Sequence, residues 1–167
     1  MRMLKAAALC VALVGALALA LSTVAESKPE TERNREFVSR MLDESINARD
    51  ADVLDEYLSA DYVHHGADGI DTGRETHKEA ARLYFVAFPD VRFEMLDQIA
   101  EGDKVVTRWR FTGTHTGPLQ DMPPTNKAVD LTGISIHRIE GGRAVEGWEA
   151  SNTLLFLQQL GVMPGAE

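Results

Sequence analysis

Four short motifs decide the fold: GTHTG at 113–117, MPPTNK at 122–127, EGWE at 146–149 and QLG at 159–161. Between them, the segments 129–139 and 143–150 alternate apolar and polar residues around the pair Gly141-Gly142, which predicts a β-hairpin. Side chains of a strand point alternately to the two faces of a sheet. The alternation therefore assigns each polar residue of this hairpin to a face.

One predicted face of the hairpin is lined by polar and small side chains. It carries Leu131, Gly133, Ser135 and His137 on the first strand, and Val145, Gly147 and Glu149 on the second. The opposite face carries the apolar residues Ile134, Ile136 and Trp148. We expect the first face to line an interior and the second to form an outer surface.

The remaining periodicities predict helices first and strands afterwards. Helical spacing of apolar residues covers about 32–49, 53–58 and 75–88, with a last short helix after Ser151 or Asn152. Alternation marks strands at about 91–95 and 104–114, the second of which places Trp109 on an apolar face. Helices followed by consecutive strands predict an α+β fold.

The order and spacing of these motifs resemble the SnoaL-like polyketide and ester cyclases of the NTF2-like superfamily, over roughly 33–163. The resemblance implies a cone, in which a curved antiparallel sheet wraps around N-terminal helices and encloses a pocket for a small molecule. It also implies a general acid or base at the position of Glu149, where the family more often has aspartate. The founding cyclases have histidine at the position of Ser135.

A carboxylate in an apolar cone suits proton transfer because burial raises its pKa toward neutrality. An enolate formed beside it needs hydrogen-bond donors. We expect His64 and His115 to complete the catalytic set with Glu149. Ser135, His137 and Trp109 are expected to contact the substrate, which we expect to be a small apolar carbonyl or ester compound.

Each of these residues also has a purely structural interpretation. Glu149 would then be a solvated carboxylate at a strand end, His115 would bond the loop that follows it, and one of His64 and His65 would face solvent. His77, early on the third helix, is expected at the surface. The enzyme and a non-catalytic domain, which binds an apolar ligand or serves as a dimeric interaction module, both remain open.

No metal or other cofactor is expected. The adjacent His64 and His65 diverge in an extended chain, and no His-x-x-x-His pattern supports a metal centre. The only cysteine, Cys10, lies in the N-terminal segment.

The first 25 residues have the pattern of a signal peptide: Arg2 and Lys5, an apolar run over 6–21, and small residues over 22–25. An uncleaved membrane anchor is the alternative. Residues 26–32 are expected to be a flexible linker before the domain at 33–163. We therefore expect a periplasmic or secreted protein that does not bind membranes after cleavage.

The net charge and the apolar surface residues predict which partners the chain can bind. The chain has 17 basic and 26 acidic residues, a net charge of −9. Removing 1–25 leaves 15 basic residues against 26 acidic ones, or −11, and such a surface repels nucleic acid. The outer row of Ile134, Ile136 and Trp148 predicts a homodimer. Arg108 and Arg110 are expected to border that contact or to pair with Asp130.

Overall fold

The computed structural model of the chain describes residues 28–66 and 69–164. The predicted signal peptide lies outside the described residues, as does the start of the predicted linker. The first helix begins at Glu30, so the end of that linker is helical. Within the described ranges, no helix is both long and apolar enough to cross a membrane.

In the described ranges, four α-helices and six strands follow one another. The helices are α1 (Glu30–Leu42), α2 (Leu54–Tyr57), α3 (Arg74–Ala87) and α4 (Thr153–Gln159), and a π-helical segment (Asp43–Asn47) extends α1. The strands are β1 (Leu58–His65), β2 (Asp71–Gly73), β3 (Arg92–Glu101), β4 (Lys104–Thr114), β5 (Ala128–Glu140) and β6 (Arg143–Ser151). The predicted helices and the four later strands are confirmed.

The six strands form one curved sheet in the order β2-β1-β6-β5-β4-β3. This confirms the α+β cone. The expectation of an antiparallel sheet needs one correction, because β1 runs parallel to β6 and the sheet is therefore mixed. Strands β1 and β2 were missing from the sequence prediction.

Two hydrophobic clusters fill the two ends of the concave face. The first cluster packs helices α1 and α2 on β1, with Val38, Met41, Leu54, Leu58, Tyr62 and Val105 among its members. The second packs the end of α3 and helix α4 on β5, with Ala87, Phe88, Val129, Leu131, Phe156 and Leu160. Along β5, these clusters leave Gly133, Ser135 and His137 between them. The interior is thus apolar at both ends and polar in the middle.

Two β-bulges change which residues face this interior. In the β3–β4 pair, Leu96 is an extra residue between the pairs Met95–Trp109 and Asp97–Arg108. In the β5–β6 pair, Val145 is the extra residue between Ile139–Ala144 and Arg138–Glu146. A bulge shifts the alternation by one residue. Val145 therefore leaves the predicted inner row, while Ala144 is fully buried.

The convex face of the sheet bears a row of apolar side chains. Ile99, Val106, Ile136 and Trp148 are consecutive cross-strand neighbours on this face. Ile99 is 66% exposed, and Ile134 on the neighbouring row is 46% exposed. Arg110 donates two hydrogen bonds to the carboxylate of Asp130, as one of the two sequence interpretations predicted.

Candidate active site

Strand register brings Glu149 and Ser135 face to face on the concave side of the sheet. Ser135 pairs with Glu149, and the next inner pair is His137 with Gly147. Gly147 pairs in turn with His64 on the parallel strand β1. Opposed residues on one face have Cβ atoms about 5 Å apart. Glu149, Ser135, His137 and His64 thus belong to one polar group.

Glu149 is held among aromatic side chains in the middle of the cone. Its charge raises the pKa of Tyr62 and of Tyr84, although burial is the larger cause for both hydroxyls. Burial also raises the pKa of Glu149 itself. The residue as a whole is nevertheless exposed to solvent, although many protein atoms surround its carboxylate. A carboxylate that protein atoms surround and a small molecule can still reach is suited to act as a base.

Three histidines form a cluster next to this carboxylate. The ring of His77 on α3 lies 4.7 Å from the ring of His64 and 5.6 Å from that of Tyr62, between centroids. Burial, reinforced by the charge of His64, lowers the pKa of His77 to about 4. Burial, reinforced by His77 and His64, lowers the pKa of His137 to about 3. His77 and His137 are therefore neutral near pH 7.

His77 corrects a sequence prediction, since it faces the cone and not the solvent. The expected inward stripe of α3 began at Ala81 and continued through Tyr84. Residue 77 lies one helical turn before Ala81 and so belongs to the same stripe. Extending the stripe by four residues would have predicted this position.

Two buried polar atoms beside Glu149 have no hydrogen-bond partner among the described residues. They are the hydroxyl oxygen of Ser135 and Nδ1 of His137. Ser135 is 5% exposed and His137 is 7% exposed. An unpartnered buried polar atom is costly. These two atoms are therefore positioned to bond a polar group of a bound molecule.

Two glycines make room for the large side chains of the site. A Cβ at Gly147 would overlap the hydroxyl of Tyr62, and a Cβ at Gly133 would overlap the ring of Trp109. Glycine is the residue that permits such close approach. Trp109 is buried and packs against Phe93, with ring centroids 5.6 Å apart. It therefore forms part of the wall of the cone.

His115 lies apart from this group. It follows the end of β4, eight residues beyond Thr107, and its ring packs on Phe88 at 5.3 Å. The backbone N–H of Thr125 donates to its Nδ1 at 3.2 Å, so its ring proton is on Nε2. Burial lowers its pKa. The contacts of His115 hold the loop at 115–127, and the structure does not bring it together with Glu149.

Two grooves elsewhere on the surface contain neither Glu149 nor any histidine. These grooves, of about 410 and 990 Å³, open beside α1 and beside the start of β3. Across the described ranges, no group of three or more His, Cys, Asp or Glu side chains is arranged to hold a metal ion. Convergent polar groups in an apolar surround mark the cone interior as the candidate site.

A protein-family comparison agrees with this architecture. The model of the SnoaL-like polyketide cyclases matches residues 36–160. The chain belongs to the SnoaL-like polyketide cyclase family. No curated protein sequence matches it.

Several solved structures superimpose on most of the chain. AclR from Streptomyces galilaeus, provisionally a hydroxylase, is 25% identical in sequence and superimposes with a TM-score of 0.75. The match covers 83% of this chain and 87% of AclR. IdmH from Streptomyces antibioticus, provisionally a polyketide cyclase, is 29% identical in sequence and superimposes with a TM-score of 0.67. The match covers 77% of this chain and 98% of IdmH. TsrD from Streptomyces laurentii is 26% identical in sequence and superimposes with a TM-score of 0.72. The match covers 81% of this chain and all of TsrD. The fold is therefore that of a SnoaL-like cyclase.

Asn152 has a structural role in this SnoaL-like chain. Its side-chain oxygen accepts a hydrogen bond from the backbone N–H of Leu155 at 2.9 Å and so caps α4. The capping predicted for Ser151 or Asn152 is thus made by Asn152.

Proposed function

We propose that this chain is a SnoaL-like cyclase-type enzyme that uses Glu149 for acid and base chemistry on a small apolar carbonyl or ester compound, without a cofactor. The observation that supports this most is the convergence of one carboxylate of raised pKa with Tyr62, His64, His77 and His137 inside the cone. Family membership supports the reaction class.

The first chemical step is removal of a proton from carbon. Glu149 accepts the proton from the carbon beside a carbonyl, and the electron pair of the broken C–H bond moves onto the carbonyl oxygen. This enolate oxygen needs donors that are present before the reaction. His77, with a pKa of about 4, is a neutral donor at pH 7, and Tyr62, whose pKa is raised, keeps its proton.

The second step forms a ring. The enolate carbon attacks a second carbonyl carbon of the same molecule, and the resulting alkoxide takes the proton back from Glu149. The carboxylate is thereby regenerated, so the cycle balances without an added oxidant or reductant. Aromatic walls such as Trp109 and Tyr84 favour an apolar substrate.

A substrate screen with two matched variants tests the proposal. Glu149→Gln keeps the shape of the side chain and removes the base, so turnover of carbonyl or ester compounds should fall roughly 10²–10⁴-fold. Glu146→Gln is the control, because Glu146 lies on the same strand and pairs with Arg138 on the convex face. Equal turnover in the Glu149 variant and the control would refute the assignment.

A non-catalytic ligand-binding domain is the second candidate. It is favoured by Ser135, which stands where the founding cyclases have histidine. It is also favoured by Asn152, which stands where members of the family frequently have a second aspartate. This candidate predicts that an apolar compound binds saturably without turnover. It also predicts that Glu149→Gln leaves the binding affinity unchanged. Weaker binding by Trp109→Ala, measured by calorimetry, would place that ligand in the cone.

Export and self-association are two further proposals. The basic, apolar and small-residue pattern of 1–25 supports a cleaved signal peptide and a periplasmic or secreted protein. Mass spectrometry of the protein from its native host tests this, and an intact Met1 on a membrane-bound species would contradict it. The exposed side chains of Ile99 and Ile134 support a homodimer through the convex face.

A further inference from the structure

The loop at 115–127 packs on the apolar cluster at one end of the concave face. Its side chains Leu119 and Met122 contact the second hydrophobic cluster, which joins the end of α3, helix α4 and β5. The backbone N–H of Thr116 donates to the carbonyl oxygen of Ala87 at 3.0 Å and so fixes the start of the loop on α3. The loop therefore covers apolar side chains at that end of the cone.

The end of this loop is fixed by His115. The backbone N–H of His115 donates to the carbonyl oxygen of Lys127, and its carbonyl oxygen accepts from the N–H of Asn126, both at 2.9 Å. The side chain adds a third bond, because its Nδ1 accepts from the N–H of Thr125 at 3.2 Å. Asn126 has a φ of 56°, a left-handed conformation that persists where surrounding contacts impose it. The imidazole thus helps to hold a strained end of the loop.

The ring of His115 can accept from Thr125 only while the ring is neutral. A neutral imidazole has one nitrogen that accepts and one that donates, whereas both nitrogens of the charged ring donate. On protonation, Nδ1 would present its proton to the N–H of Thr125. The hydroxyl oxygen of Thr125, 3.1 Å from Nδ1, is an acceptor that the charged ring could still use. Protonation therefore removes the acceptor of the backbone N–H.

The other ring nitrogen of His115 makes this residue a costly choice for structure alone. Nε2 is buried and has no hydrogen-bond partner among the described residues. The whole residue is buried, with its ring packed against Phe88. An unpartnered buried N–H costs free energy. Asparagine would offer an oxygen acceptor to the N–H of Thr125 without any ring N–H.

We propose that His115 is a pH-sensitive latch: its neutral ring holds the end of the loop at 115–127, and protonation of the ring releases that end from the second hydrophobic cluster. In the released loop, water reaches the ring, which then binds a proton more readily than in the held loop. Acid therefore favours release. Burial lowers the pKa of His115 in the held loop, so release begins below the ordinary histidine value of about 6.5.

The charged and titratable groups around His115 leave this titration to the ring itself. Burial alone lowers its pKa. Asp90 accepts from the N–H and the hydroxyl of Thr114, which lowers the pKa of Asp90 and keeps its carboxylate ionised. Tyr84, from α3, keeps its proton because its pKa is raised. The loop itself carries Asp121 and Lys127, and helix α4 carries no charged residue.

NMR spectroscopy of the full chain tests the latch. The ¹⁵N shifts of the His115 ring report its tautomer and its protonation between about pH 7.5 and 4.5. Hydrogen exchange gives the protection factor of the Thr125 N–H, which corrects for the intrinsic effect of pH on exchange. The neutral ring should carry its proton on Nε2. The protection of Thr125 should fall roughly 2- to 10-fold, as for the loss of one hydrogen bond, with the same midpoint as the ring.

Two variants separate the latch from general acid effects. In His115→Asn, the side-chain oxygen can accept from the N–H of Thr125 but does not titrate, so the protection of Thr125 should not change with pH. Wild type and this variant share His77 and His137, so the titration of these two residues cancels in the comparison. His65→Asn is the matched control, because His65 lies on β1, away from the loop. It should keep the pH dependence of wild type.

Several results would overturn the proposal. One is a ring that stays neutral until the chain unfolds, or a neutral ring with its proton on Nδ1. Another is an equal loss of protection at the N–H of Ile139, which bonds Asp103 beside the first hydrophobic cluster, because the whole chain would then be opening. A third is the same pH dependence at Thr125 in His115→Asn. If that variant does not fold, the two midpoints in wild type decide, and different midpoints refute the latch.

Discussion

Mild acid should destabilise this fold through two buried histidines. His77 and His137 have pKa values of about 4 and about 3, chiefly because burial disfavours their charged forms. In the unfolded chain each titrates near its ordinary pKa of about 6.5. Below that pH the unfolded chain binds protons that the folded chain does not. Stability is therefore unaffected by these groups at higher pH and falls as the pH drops from about 6.5 toward about 4.

The size of the effect follows from linkage. Between pH 7.0 and 5.5, each histidine that stays neutral in the folded state removes about 1.2 kcal/mol from the free energy of unfolding. His77 and His137 together should remove about 2.5 kcal/mol. Glu149 acts in the opposite direction, because its raised pKa makes the folded chain bind the extra proton. Comparing variants that keep Glu149 removes its contribution from the difference.

Urea unfolding followed by tryptophan fluorescence measures the free energy of unfolding at both pH values. His77→Gln should lose about 1.2 kcal/mol less than wild type between pH 7.0 and 5.5, and His137→Asn should lose less by a similar amount. Ser135→Ala is the control, since it changes a buried polar group of the site and no titrating one. Equal pH dependence in wild type and both histidine variants would refute the reasoning.

Two further predictions concern packing and association. Gly147→Ala should lower the free energy of unfolding by about 1–3 kcal/mol, because the added methyl group overlaps the Tyr62 hydroxyl. In a Tyr62→Phe background the nearest ring atom would be 3.1 Å away, so the same change should cost less, and an equal cost in both backgrounds would contradict this account. Light scattering should give the mass of two chains for wild type and of one for Ile134→Glu. A wild-type monomer at micromolar concentration would disprove the dimer.

Local sequence patterns predicted much of this molecule. Alternation along β5 placed Ser135 and His137 on one face, and the Gly141-Gly142 turn joined β5 to β6 as expected. The end of α3 at Ala87, two residues before Pro89, and the capping of α4 by Asn152 also follow from nearby residues. Such features depend on interactions within a few positions of the chain, which the sequence displays directly.

The features that the sequence did not predict depend on contacts between segments that are distant in the chain. Strand β1 contains Asp61 and the pair His64-His65, so it lacks clear alternation, and it becomes a strand by pairing with β6 some eighty positions later. Neither bulge leaves a local sign, although Val145 decides the register that sets Glu149 opposite Ser135. Alternation along β6 grouped Glu149 with Gly147, and the resemblance to a known family supported an interior position for Glu149. Regular pairing outward from the turn, without the bulge at Val145, would have set Trp148 opposite Ser135.

The pKa of Glu149 in the wild-type chain is the most direct test of the account. The difference between ¹³C titrations of wild type and Glu149→Gln isolates this carboxyl group without any knowledge of the substrate. Burial in the cone predicts a pKa above the ordinary glutamate value of about 4.3. A value at or below about 4.3 would mean that the carboxylate is solvated like a surface residue, and the proposed base would be contradicted.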